Sequence, residues 1–163
     1  MPLHGVDHLL SALAVGLIAA RARDGMRLKL PVLFALVALL GGFLNLSGVS
    51  LPEMAVPLTV AAAGILLWRG LAAVSLGTAI VALAGLSNGQ ALIEVAPTTL
   101  SAGIFATGCI LSALSVCALG LGLGKSIQNH PQTERLAGAT LLLGAALVSA
   151  FPALNAAVIH CIE

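Results

Sequence analysis

The chain has 163 residues, 60% of them hydrophobic and 8% charged, and a formal net charge of +1. A soluble domain carries about 25% charged residues, so a soluble globular protein is excluded, and so small a net charge offers no basic surface for nucleic acid. The composition predicts an all-α polytopic integral membrane protein whose partner is the lipid bilayer: one transmembrane domain over 1–163, built as a six-transmembrane-helix bundle.

The first predicted helix covers 4–20. Four basic residues follow it, Arg21, Arg23, Arg27 and Lys29. A signal peptide carries its positive charge before the apolar region, so this segment reads as a first transmembrane helix, short by the standard of about 20 residues. Within it Leu3–Leu10 is the one stretch where ionisable groups run straight into a long apolar segment. On a helix His4, Asp7 and His8 share a face, because residues three and four apart are neighbours. Two imidazoles and a carboxylate on one face suit a divalent transition metal. The alternative is that Asp7 serves the unpaired N–H groups of a helix start while the histidines sit at the lipid headgroups.

The second helix is expected over 30–46, with Pro31 in its first turn and Gly41-Gly42 giving close packing or a kink. Gly48 and Pro52 break the chain before the third helix, 54–68, where Pro57 again falls in a first turn and Trp68 and Arg69 mark an interface. The fourth covers 71–92 and ends in a polar patch, Ser87, Asn88 and Gln90, followed by Glu94. Gly85 and Gly89 form a G-x-x-x-G helix-contact pattern. Pro97 opens the fifth, 97–123, rich in Ser, Thr, Ala and Gly. A polar loop over 124–135 precedes the sixth, 136–159. Cys109 and Cys117 lie in an apolar run and read as small buried hydrophobes.

Charge tests the helix count. With the amino terminus outside, Arg21, Arg23, Arg27, Lys29, Arg69, Lys125 and Arg135 all fall inside, and these are every Lys and Arg in the chain. Asp7, Glu53, Glu94 and Glu163 fall outside. The positive-inside rule is obeyed throughout, which predicts both termini on the outer side of the membrane; the membrane expected is a bacterial inner membrane. The same topology gathers Asp7, His8, Asn45, Ser87, Asn88, Gln90, Glu94, Asn155, His160 and Cys161 at outer helix ends. Polar groups at membrane depth are costly and usually face a bundle interior or a cavity, so an outward-facing vestibule is one reading; wet helix ends are the other.

Gly120–Ser126 reads Gly-Leu-Gly-Leu-Gly-Lys-Ser, but a phosphate loop needs glycine at 119, which is Leu119, and a strand before it. No acid–base or nucleophile constellation is present, so the chain is not read as an enzyme.

The first helix resembles the start of the HupE/UreJ family of hydrogenase and urease accessory membrane proteins. That family opens H-P-x-x-G-x-D-H-x-L; Pro2, Gly5, Asp7, His8 and Leu10 stand in this register, Ala14-Val15-Gly16-Leu17 continues it, the family's first histidine falls on Met1, and His4 is placed to substitute for it. A second family segment, F-H-G-x-A-x-G-E-A, is matched by Gly85, Gly89 and Ala91, with Pro97-Thr98 beyond. Its histidine falls on Ala84 and its acidic residue on Gln90. The resemblance implies a permease for nickel or a related divalent transition metal, with Ni²⁺ as cargo and no tightly bound cofactor. His4, Asp7 and His8 would form the outer metal site, with Asn88, Gln90 and Glu94 as neighbours. The losses at Ala84 and Gln90 leave a second reading open: a non-transporting structural or accessory subunit that keeps the family fold within a larger complex, or as a homo-oligomer.

Overall fold

The computed structural model describes residues 6–49, 51, 54–70, 74–94 and 102–160, with the side chains of 92–94, 102, 103 and 151–160 outside that description. The described residues are helical and contain no strand. Six long helices, α1 (Val6–Arg21), α3 (Lys29–Leu46), α4 (Ala55–Trp68), α5 (Val74–Glu94), α6 (Ala102–Ile127) and α7 (Pro131–His160), are joined by one four-residue helix, α2 (Asp24–Arg27). Leucine and alanine dominate these segments and favour helix. Pro31, Pro57 and Pro131 all lie in first turns, where the missing N–H costs no helical hydrogen bond.

The ends of the elements have local causes. Helix α2, absent from the sequence expectation, is closed by an Arg27–Asp24 ion pair of 2.7 Å and by Arg27 Nε donating to the Ala22 carbonyl at 3.1 Å. Helix α3 stops at Gly48, whose φ of +83° is cheap only for glycine. There the Val49 N–H returns to the Leu44 carbonyl and the Gly48 N–H to that of Asn45, so the last carbonyls of α3 are paired. The polar loop expected over 124–135 shrinks to 128–130. Helix α6 runs on to Ile127, where Lys125 sits favourably in the last turn, and α7 begins at Pro131 with Glu134 in its first turn.

Helix α1 touches each of the other long helices. Ser11, Ala12 and every residue from Ala14 to Ala20 are buried. The broadest contacts pair α3 with α5, α1 with α6 and α4 with α7. Each pairing depends on glycine to bring backbones together: a Cβ added at Gly89 would run into the Ala38 carbonyl, at Gly16 into the Cys117 carbonyl, and at Gly64 into the Gly138 carbonyl. Gly85 and Gly89 therefore lie at a helix contact, as their spacing predicts. Cys117 is fully buried in this core, whereas Cys109 is only partly so; Cys161 lies outside the described residues.

Among the described residues two helical stretches, Asp24–Leu46 and Ile104–Ile127, are long and apolar enough to cross a membrane. Only 28% and 11% of their apolar windows are buried, which is the reverse of a core helix in a soluble protein. Leu36, Phe43, Leu111 and Leu119 stand on their exposed faces, an apolar surface of the kind that marks contact with lipid or another protein.

Candidate functional site

The polar groups of α1 are confined to its two ends. At the first end, His8 Nδ1 lies 2.6 Å from Asn88 Oδ1 of α5. Asn88 Nδ2 donates to Ser11 Oγ at 2.7 Å and to the Ala84 carbonyl at 2.7 Å. Asn88 is 3% exposed and Ser11 1%, so the network is dry behind a half-buried imidazole. Burial of such groups is tolerable only because each is paired; no described buried side-chain polar atom lacks a partner.

The expected site residues are brought together only in part. His8 and Asn88 meet. The Oδ1 of Asp7 accepts the His8 backbone N–H at 2.9 Å, which is the helix-start role of a carboxylate. Gln90 faces elsewhere: its Oε1 accepts the Leu51 N–H at 2.6 Å and its Nε2 donates to the Val49 carbonyl at 3.0 Å, tying the loop after α3 to α5. Its amide carries both a donor and an acceptor, and so holds both the Leu51 N–H and the Val49 carbonyl where the family's carboxylate could only accept. His4, Glu53, Cys161 and Glu163 lie outside the described residues, as do the side chains of Glu94, Asn155 and His160. Among the described residues no group of three or more His, Cys, Asp or Glu is placed to hold a metal ion.

Two participants escaped the sequence reading. Ser11 is three residues from His8, the helical spacing that puts them on one face, and that spacing was the available signal. Glu134 was hidden in a loop otherwise read for its cations. It accepts from Arg21 Nη2 at 2.8 Å across the other end of α1, and Arg21 Nη1 reaches toward the Leu66 carbonyl at 3.4 Å. Beside this pair is a cavity with room for about one water, lined by Leu17 and Arg21 of α1, Leu67 of α4, Gly124 and Ile127 of α6, and Glu134 of α7.

Comparison with known proteins agrees with the two sequence motifs. The family model described as HupE / UreJ protein matches residues 1–148. Protein HupE of Rhizobium leguminosarum bv. viciae is 31% identical over 155 residues, covering 88% of this chain and 81% of that protein. No solved structure matches. With most of its length matched by the family model, and with Gly5, Asp7, His8, Gly85 and Gly89 in the family's register, this chain belongs to the HupE/UreJ family.

Proposed function

We propose that this chain is a membrane permease for nickel or a related divalent transition-metal ion, with His8 at the outer mouth of a six-span bundle. The family is associated with hydrogenase and urease nickel accessory function and is not a family of catalytic enzymes. The observation that carries the proposal is the His8–Asn88–Ser11 network: three polar side chains converge at one end of the most buried helix, in a chain that otherwise spends its polar groups sparingly. Such groups at membrane depth mark ion pathways. An imidazole with a nearby carboxylate suits Ni²⁺ as a ligand set, and a transport site must bind loosely enough to release. In this reading the single domain sits in a bacterial inner membrane with both termini outside, Asp7 and His4 complete the outer site, and the ion is cargo rather than cofactor.

A second reading, a non-transporting subunit of a membrane complex, is favoured by a specific contrast. Asp7 and Gln90 are engaged with backbone N–H groups, and the Arg21–Glu134 pair closes the opposite end of α1. Uptake of nickel, cobalt, zinc and copper into liposomes containing the purified protein, together with nickel calorimetry, separates the two. The permease reading expects uptake of at least one of these ions and nickel binding that falls at least tenfold in His8→Ala, in line with about 1.4 kcal/mol per tenfold. No uptake of any ion by wild type leaves the subunit reading; uptake with nickel binding equal in wild type, His8→Ala and Asp7→Asn keeps a permease but takes His8 and Asp7 out of its ion site.

A further inference from the structure

The orientation of the Asn88 amide follows from its neighbours. The Ala84 carbonyl can only accept a hydrogen bond, and it lies 2.7 Å from the Asn88 terminal nitrogen. Turning the amide over would set oxygen against oxygen there. The Asn88 NH₂ therefore faces Ala84, and its second hydrogen goes to Ser11 Oγ. That leaves Asn88 Oδ1 directed at His8 Nδ1, 2.6 Å away. An amide oxygen only accepts, so Nδ1 must carry the hydrogen. A neutral imidazole has one N–H, and its other nitrogen then holds a lone pair.

We propose that Asn88 is a positioning residue that holds His8 in the Nδ1–H tautomer and leaves Nε2 as the ring nitrogen that carries the lone pair. Asn88 is suited to this because both of its NH₂ hydrogens are engaged and the residue is buried, so it has no alternative partner to turn toward. Ser11 acts one step further back, fixing the amide that fixes the ring. The assignment also changes the expected role of Asn88: it stands behind the histidine and does not itself face a cation. Resting on the permease reading, the consequence is that a divalent cation meets His8 through Nε2, with the Nδ1–H···Oδ1 bond orienting the ring.

The test is nitrogen NMR on the detergent-solubilised full chain with ¹⁵N-labelled histidine, at a pH where the imidazoles are neutral. The His8 signals are assigned by their loss in His8→Gln. Wild type should show a protonated Nδ1 and an unprotonated Nε2. Asn88→Leu removes the acceptor oxygen and should lose that tautomer. A His8 that carries its hydrogen on Nε2 in wild type overturns the proposal whatever the variants do, and so does an unchanged tautomer in a folded Asn88→Leu. Zinc, a diamagnetic probe, forms the second arm. It should shift His8 Nε2 in wild type and bind about tenfold or more weakly in Asn88→Leu. The expected tautomer with no response of His8 to zinc upholds the positioning role and counts against the metal-site reading, so the two fail separately.

Discussion

The two ends of α1 solve the same problem differently. At the His8 end the buried groups are neutral, and Asn88 and Ser11 can be shielded almost completely because their hydrogen bonds are matched donor to acceptor. At the Arg21 end the groups are a guanidinium and a carboxylate, and their side chains remain 18% and 14% exposed. Full charges cost far more to dehydrate than amides or hydroxyls, so this end keeps some contact with water. Between the ends lies a run of buried apolar residues, Ala14 to Ala20, packed so closely that Gly16 lies against the backbone of α6. One helix thus joins a dry, directional network to a wet, strong and less directional one. The first can specify an atom on a ring; the second can hold three helices, α1, α4 and α7, together.

The largest effect should come from breaking the helix that joins the two. In Gly16→Leu the new side chain begins where the Cys117 carbonyl and the Gly120 Cα already lie. Backbone cannot yield as a side-chain tip can, so a loss of about 3 kcal/mol or more is expected, read as a collapse of folded yield in detergent. Gly108 is the control: a Cβ there meets nothing within 4 Å, and Gly108→Ala should not lower the melting temperature. Similar losses in both variants would mean that α1 and α6 are not in this close contact.

At the Arg21 end, Arg21→Ala or Glu134→Ala each strands a partly buried charge. A fully buried partner would cost about 3–5 kcal/mol; with water reaching this pair, about 2 kcal/mol is the better expectation. Exchanging the two charges, Arg21→Glu with Glu134→Arg, should restore part of the loss in a denaturation series. Strict additivity of the two single changes would show that the ion pair contributes nothing.

The smallest effect belongs to the His8 end. Ser11→Ala removes one acceptor from Asn88 Nδ2 while the Ala84 carbonyl remains, for a cost of about 1 kcal/mol. The same denaturation series checks it. A loss as large as that of Arg21→Ala would reverse the comparison and make the neutral network the stronger of the two.

The apolar runs, the prolines in first turns and the G-x-x-x-G of Gly85 and Gly89 were sufficient to read an all-helical chain, the approximate extent of its long helices and one of its helix contacts. These are local signals: period, composition and terminus chemistry lie within one segment and need no partner. The family register of Pro2, Gly5, Asp7, His8 and Leu10 was equally readable along the chain. What no local pattern could supply was the partner of each helix. His8 meets a residue 80 positions away and Arg21 one 113 positions away, and neither pairing leaves a trace in the periodicity of its own helix. The same limit explains Gln90. Its place two residues after Asn88 suggested a common site, but on a helix residues two apart do not share a face, and the fold turns Gln90 to Val49 and Leu51 instead. The sequence by itself determined which segments are long helices and which end of the first one carries its imidazole and carboxylate. Tertiary structure decided which of these groups meet, because glycine-to-backbone contacts between distant helices set the register at which every polar side chain arrives.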